Sequence, residues 1–419
     1  MPNPNKINVE PSLRRYPYPY QAMLAICSDQ DETPNKEVYF ECSRYLNTQE
    51  KTTMGQGLNL EVGNSIYFHM PKDQFSYFNT DDDGRGTIHK LIQSGHIDCL
   101  HSFGDLASSR EQAIECLNNL RANNSYLEVW IDHAQAPSNL DADIMEGIGA
   151  QRGSACYHAD VTGSYGGLTF VWKGRVTSSI SQNSKARFRG IFNKNHPIIS
   201  LKTMGIEAAK VLLSYLGSAK YQMHKNNQIM RNTTLDDGSE VVEFMRMNPS
   251  WGGVSHCETA KGISQVLTNT MLKHLLSSQG CSVLYTHLGK IHTKQEPFDQ
   301  ATREAFRLLS KYSEKKQILT TTTRRILGYC RTRDELKFNI IKKSNETHIM
   351  VSTCYEGRDL QGLTWYVSSP SKTKLFINGK KWQALKNNPK DYSGRPSVSI
   401  VWEALVYPNT ISGITHAIN

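Results

Sequence analysis

Short apolar runs alternate with helix-like segments along most of this chain. The runs that predict β-strands lie at 22–28, 58–62, 97–100, 127–131, 155–158, 168–173, 241–246 and 282–286. Between them, apolar residues recur every three or four positions, which predicts amphipathic helices, at 35–46, 108–122, 203–216, 259–277 and 298–314. Strands and helices that alternate at this spacing are typical of a parallel α/β fold.

The pattern changes near residue 335. From Phe338 onward, strand-like runs follow one another and are separated by Gly, Pro, Asn and Ser, which predicts a small antiparallel β domain. We therefore expect an N-terminal extension at 1–20, an α/β domain at 21–335, and a β-sandwich-like accessory domain without catalytic residues at 336–419.

Composition and charge narrow the classes of protein. The 419 residues include 48 Lys and Arg against 39 Asp and Glu, a net charge of +9 that we expect to be spread along the chain. Nucleic acid is not an expected partner, because no basic helix or aromatic–basic motif typical of nucleic-acid readers is present. The nine cysteines are scattered without a CxxC pair, so no disulfide framework is indicated. The absence of a signal-like start and of a long apolar stretch predicts a cytoplasmic protein without a membrane span.

Two carboxylates follow the first long strand, in the sequence "SDQDET". Asp29 and Asp31 are two positions apart and would share one face of an extended chain. Two such charges repel each other unless a cation or a shared proton compensates them. The alternative is an exposed turn, in which these side chains accept local backbone hydrogen bonds.

Histidines and further carboxylates follow other predicted strands. His101 and Asp105 come after 97–100, His133 comes after 127–131, and His287 comes after 282–286. Because the carboxyl ends of parallel strands meet at one edge of a sheet, we expect these side chains to lie close together. Carboxylates with imidazoles suit zinc or a similar ion, while a second carboxylate and a distal His suit proton transfer. Each His taken alone is more often a packing residue.

The order of these motifs resembles that of the NodB-type polysaccharide deacetylases over residues 25–330. The resemblance implies an irregular (β/α) barrel of about seven parallel strands. "SDQDET" resembles the family's Asp pair, which implies that Asp29 is the catalytic base and Asp31 a metal ligand. "GHIDCLHS" resembles its histidine motif and implies that His101 is a ligand, and "VLYTHLGK" resembles its last motif and implies that His287 is the catalytic acid.

The chain also departs from the family pattern. Asp105 stands where the family has a second ligand His, so either Asp105 or His133 is expected to complete the metal site. The family's Arg-containing motif is replaced by "VWIDHAQAP". Arg246 and Trp251 are predicted to bind substrate. For Arg246, orientation of Asp29 or a structural salt bridge is the alternative, and for Trp251 it is core packing.

These expectations describe a metal-dependent hydrolase, with zinc as the expected cofactor. The resemblance implies removal of an N-acyl group from an amino sugar in a polysaccharide or glycan precursor. The alternatives are another C–N amide hydrolase or a glycosidase on the same barrel, or a non-catalytic carbohydrate-binding relic. A glycosidase would use two carboxylates and no metal.

Overall fold

The computed structural model describes residues 10–133, 135–141, 147–164, 166–185, 188, 190–192, 197–249 and 259–408. Contacts within the chain divide it into two compact units. The first, called here the α/β unit, comprises residues 23–324 and 405–419, and the second, the β unit, comprises residues 1–22 and 325–404.

The secondary structure alternates through the α/β unit and consists mainly of strands after residue 336. The described strands are β1 (Ser12–Leu13), β2 (Ala22–Ser28), β3 (Lys51–Thr52), β4 (Gly55–Gln56), β5 (Gly63–Ile66), β6 (Ile97–Leu100), β7 (Val129–Ile131), β8 (Phe170–Trp172), β9 (Val176–Thr177), β10 (Met230–Thr234), β11 (Glu240–Phe244), β12 (Arg246–Met247), β13 (Cys281–Thr286), β14 (Ile318–Thr321), β15 (Lys337–Lys343), β16 (Glu346–Ser352), β17 (Thr364–Tyr366), β18 (Thr373–Ile377), β19 (Lys380–Lys381), β20 (Lys386–Asn388) and β21 (Ser397–Ser399). The described α-helices are α1 (Lys36–Asn47), α2 (Asp82–Gln93), α3 (Arg110–Ala122), α4 (Ala159–Ser164), α5 (Pro197–Tyr215), α6 (Gln222–Lys225), α7 (Asn269–Ser278), α8 (Gln300–Glu314) and α9 (Thr323–Glu335).

One curled, mostly parallel sheet forms the centre of the α/β unit. Its strands follow the order β10-β11-β8-β7-β6-β5-β2-β13-β12-β9, and β14 pairs with β2 outside this path. Strand β10 runs antiparallel to β11, whereas the neighbours from β11 to β9 are parallel. The sheet therefore has the barrel-like α/β architecture that the alternating pattern predicts.

Short chain connections show why the sheet curls. Residues 173–175 separate β8 from β9, and residue 245 alone separates β11 from β12, yet these strands lie at opposite ends of the strand order. The two ends of the sheet must therefore approach each other, and the Arg246 amide donates to the Arg175 carbonyl at 2.9 Å. At each of these two short connections the extended chain leaves one end of the sheet and enters the other, so β8 and β9, like β11 and β12, are counted as separate short strands.

Register places the first site residues side by side. All seven residues of β2 are buried, as expected for a strand with neighbours on both sides. Ser28 on β2 pairs with Thr286 on the parallel strand β13. The next residues, Asp29 and His287, therefore leave the sheet at the same edge.

Two segments predicted as strands adopt other structures. Residues 58–62 pair with the end of α1, where the amides of Leu58 and Leu60 donate to the carbonyls of Tyr45 and Leu46. Residues 155–158 lead into α4, and the His158 amide donates to a loop carbonyl at Gly149. Apolar residues in both segments face the core without a sheet neighbour, which periodicity alone does not distinguish from a strand.

The predicted helix at 259–277 is shorter in the structure. Residues 263–265 form a single 3₁₀ turn, and α7 begins only at Asn269. The Thr268 hydroxyl accepts a hydrogen bond from the Met271 amide and caps a new helix there. The capping residue Thr268 therefore determines where α7 begins, about ten residues after the start that the apolar periodicity predicts.

The β unit contains two four-stranded sheets. One has the order β1-β17-β21-β20 and the other the order β15-β16-β18-β19. The first is antiparallel, but β16 and β18 are parallel in the second, so the unit is mixed and not wholly antiparallel. Within the parts of the chain that the structure describes, no helix has the length and apolar composition needed to cross a membrane.

Candidate active site

Asp29 lies at the centre of a polar cluster at the carboxyl edge of the curled sheet. Its side chain is fully buried, and Nη1 of Arg246 donates to both of its oxygens, at 2.7 Å to Oδ1 and 2.9 Å to Oδ2. Burial alone would raise the pKa of Asp29, but the positive charge of Arg246 and the neighbouring His101 outweigh it and hold that pKa well below its usual range. Asp29 is therefore an ionised carboxylate inside the protein.

Two aromatic rings enclose the guanidinium of Arg246. Its central carbon lies 3.4 Å from the ring centroid of Trp172 and 4.0 Å from that of Tyr285. Such cation–π contacts favour a charged Arg in a buried place. Arg246 Nε and Nη2 make no hydrogen bond to the described residues. Of the roles left open by the sequence, these contacts favour the orientation of Asp29.

Two histidines and a second carboxylate lie next to Asp29. His101 Nε2 is 3.5 Å and His287 Nε2 is 3.8 Å from Asp29 Oδ2. His287 Nε2 is also 3.2 Å from Asp31 Oδ1, and Lys290 Nζ is 3.4 Å from Asp31 Oδ2. The structure thus brings together four residues predicted from three different strand ends.

Two of the imidazoles near Asp29, those of His287 and His133, have lowered pKa values and are neutral at pH 7. Burial lowers the pKa of His287 to about 4, although the charges of Asp31 and Asp29 act in the opposite direction. Burial, together with the electrostatic effect of the neighbouring His101, also lowers the pKa of His133 to about 4. A neutral imidazole can accept a proton or bind a metal ion. His287 must therefore first take up a proton if it acts as the catalytic acid.

His133 and Asp105 differ in their availability as a further ligand. The His133 ring centroid lies 5.7 Å from that of His101, and His133 Nδ1 makes no hydrogen bond to the described residues. Asp105 Oδ1, by contrast, accepts a hydrogen bond from the Gln135 amide at 2.9 Å. His133 therefore has a ring nitrogen without a hydrogen bond to the described residues close to His101, whereas one of the two Asp105 oxygens is already bound to the backbone.

A further carboxylate near a predicted strand end, that of Asp132, is engaged outside this cluster. Asp132, which follows β7, accepts hydrogen bonds from the backbone amides of Leu140 and Asp141 at 2.7 Å and 3.0 Å and so fixes the loop after its strand. Trp251, predicted to bind substrate, lies outside the described residues.

The cluster offers pairs of metal ligands and not a closed set. Among the described residues, no group of three or more His, Cys, Asp or Glu side chains is arranged to hold a metal ion. Ligand atoms around a tetrahedral zinc at 2.0–2.1 Å would lie about 3.3 Å apart. The separations of Asp31 from His287 and of Asp29 from His101 are close to that value, and each of these pairs joins a predicted ligand to a predicted proton carrier. His101 is buried, and neither of its ring nitrogens makes a hydrogen bond to the described residues.

Sequence reasoning missed the groups that surround the polar residues. Lys290 contacts Asp31, and Tyr67 stacks on His101 with ring centroids 4.2 Å apart. Lys290 follows His287 by three positions, so its closeness to the cluster could have been predicted from the sequence. The rings of Trp172 and Tyr285 carry no such signal, because their strands are distant from β12 in the chain. Tyr285 meets Arg246 from the neighbouring strand β13, whereas Trp172 on β8 meets it only because the sheet curls.

Comparisons with protein-family models, with curated proteins and with solved structures give no match to this chain. The function is therefore argued from the site itself.

Proposed function

We propose that this chain is a metal-dependent hydrolase that removes an N-acyl group from an amino sugar. The observation that carries the proposal is the meeting of Asp29, Asp31, His101 and His287 at the carboxyl edge of a curled parallel sheet, which is where α/β barrels hold their catalytic groups. Carboxylates and imidazoles in one buried place supply both ligands and proton carriers.

Asp29 has the role of general base in this proposal. Its carboxylate is ionised and is held in one orientation by Arg246, so it can accept a proton from an attacking water. Arg246 is a positioning residue, because it is buried behind Asp29 between two rings. The same pairing makes Asp29 a weaker base, since a nearby positive charge stabilises the ionised form.

Asp31 and His101 would hold the metal ion, and His133 is favoured over Asp105 as the third ligand. Buried His101, whose ring nitrogens make no hydrogen bond to the described residues, and the partly exposed carboxylate of Asp31 offer ligand atoms of the types that suit a divalent ion such as zinc. When bound, such an ion polarises the scissile carbonyl and lowers the pKa of a bound water.

His287 would deliver the proton to the departing amine. Its Nε2 lies near both carboxylates, at 3.8 Å from Asp29 and 3.2 Å from Asp31. A proton taken by Asp29 can therefore pass to His287 with little movement, and this step gives the neutral imidazole the proton that a catalytic acid needs. The glycan-precursor substrate and the cytoplasmic location stay predictions.

Metal binding tests this proposal directly. Asp31→Ala and His101→Ala are each expected to weaken zinc binding by more than the roughly 10–100-fold typical of outer-shell partners, because each removes a ligand. Zinc would be titrated into metal-stripped protein by equilibrium dialysis and measured by mass spectrometry. Asp82→Ala and His292→Ala, which change exposed residues of the same two types, are the matched controls.

Two results would count against the proposal. Zinc binding that survives both Asp31→Ala and His101→Ala would show that other residues hold the ion. Wild-type protein that binds no stoichiometric divalent metal would favour the metal-free glycosidase or the carbohydrate-binding relic.

A further inference from the structure

Helix α5 is oriented with its polar side toward the protein and its apolar side toward solvent. Its buried positions are Ser200, Thr203, Glu207, Lys210 and Ser214, which recur every three or four residues. Six large aliphatic residues on and directly after the helix are exposed: Ile198, Ile199, Leu201, Leu212, Leu213 and Leu216. We call these six residues the α5 face. An ordinary surface helix has the opposite arrangement.

Specific hydrogen bonds fix this orientation. Glu207 accepts from the Thr177 hydroxyl at 2.8 Å and from the Ser178 amide at 3.1 Å. Lys210 donates to Glu207 at 2.7 Å and to the Val176 carbonyl at 2.8 Å. Rotation of α5 to bury its apolar side would break the three hydrogen bonds that join the helix to Val176, Thr177 and Ser178. It would also move the Glu207–Lys210 ion pair, which lies within the helix, out of its buried place. The described residues therefore leave the apolar side of α5 uncovered.

Positive charge accompanies the α5 face. The sequence from 185 to 225 contains eight Lys or Arg residues and one Glu, a net charge of +7 out of the chain's +9. The charge is thus concentrated in this segment and not spread along the chain as the overall composition suggested. The one acidic residue, Glu207, is buried and paired with Lys210. Among the described residues of the segment, Lys202 and Lys225 are exposed beside the apolar positions.

We propose that the α5 face binds the surface of a membrane that contains anionic lipids. A helix whose Leu and Ile side chains face outward among Lys residues matches the acyl boundary and the negative headgroups of such a surface. Tyr215, exposed near the end of α5, lies with its ring centroid 5.1 Å from Lys225 Nζ, and both residue types are typical of membrane interfaces. The helix lies on the membrane and does not span it.

The same charge argues against a second copy of this chain as the occupant. In a symmetric dimer the same surface of each subunit meets, so the Lys residues of the two copies would face each other. The acidic residue of the segment is buried and could not compensate them. The proposal does not depend on the reaction proposed above.

Vesicle flotation with the 419-residue chain tests whether the protein binds to a membrane surface. Wild-type protein is expected to float with vesicles of phosphatidylcholine and phosphatidylglycerol, and much less with phosphatidylcholine alone. Raising the salt concentration is expected to weaken the binding to the anionic vesicles, because salt screens charge attraction. This part of the test requires no altered protein.

A paired substitution assigns the binding to the α5 face. Ile198→Asp combined with Leu212→Asp is expected to lower partition into anionic vesicles by at least about tenfold, because buried apolar contact is replaced by like-charge repulsion. Val406→Asp is the matched control: Val406 and Ile198 are both β-branched and are 80% and 81% exposed. Near-ultraviolet circular dichroism would establish that each variant is folded.

Three outcomes would overturn the proposal. The first is wild-type protein that shows no preference for anionic vesicles. The second is a folded double variant that floats as well as wild type. The third is a wild-type dimer, seen by light scattering, that the double substitution dissociates but anionic vesicles do not. The α5 face would then be covered by another copy of the chain.

Discussion

Arg246→Met is expected to lower the free energy of unfolding by about 3–5 kcal/mol, the range for breaking a buried ion pair by removing one partner. The substitution keeps an unbranched side chain between Trp172 and Tyr285 but leaves Asp29 buried without its main positive neighbour. The carboxylate must then either stay charged in a low-dielectric place or take up a proton. Urea unfolding at pH 7, followed by circular dichroism, measures the effect.

A second buried Arg of the same unit provides the control. Arg175 Nε lies 2.9 Å from Glu243, but Glu243 is also paired with Arg231 at 2.6 Å. Arg175→Met therefore leaves its carboxylate with another cation, and we expect a loss of only about 1–2 kcal/mol. Combining Arg246→Met with Asp29→Asn should recover part of the stability lost in Arg246→Met, because no unpaired charge then remains. A loss below about 1 kcal/mol for Arg246→Met would contradict the inference that the buried Arg246–Asp29 pair is important for the stability of the fold.

Asp29→Asn is expected to reduce turnover by on the order of 10²–10⁴, the usual effect of losing a general base. The amide keeps the shape of the carboxylate, and its oxygen can still accept a hydrogen bond from Arg246, but it has no basicity. Zinc binding should be nearly unchanged, because Asp31 and His101 are the proposed ligands. Activity would be followed as acetate released from an oligosaccharide of N-acetylglucosamine, at a temperature where circular dichroism shows the variant to be folded.

The metal content separates the two aspartates. If Asp29→Asn loses zinc together with activity, Asp29 is a ligand and the two roles must be exchanged. Near-normal turnover with zinc still bound would assign the base to another residue, of which neutral His287 is the nearest to both carboxylates. Wild-type protein that releases no acetate from the oligosaccharide would contradict the proposed substrate class, independently of the outcome with zinc.

The sequence by itself determined some of the local elements. Residues 22–27 are an unbroken apolar run followed by Ser28 and two carboxylates, and this is sufficient to predict a buried strand with a polar end. The start of α3 is equally local, because Ser109 and Gln112 form a capping box within one turn. Parallel pairing then places successive strand ends at one edge, so Asp29, His101 and His287 could be expected to be near one another.

Only the tertiary structure decided which partners these residues have. Arg246 meets Asp29 across 217 positions of the chain. Tyr285 contacts Arg246 from the neighbouring strand β13, and Trp172 contacts it because the sheet curls until its ends approach. No periodicity carries that information, since it depends on where β8 and β11 are interrupted. The outward orientation of the apolar side of α5 could not be predicted from the sequence for a similar reason. Its sequence indicates an ordinary packed helix, and only the pairing of Glu207 and Lys210 with β9 and the chain after it establishes which side is buried.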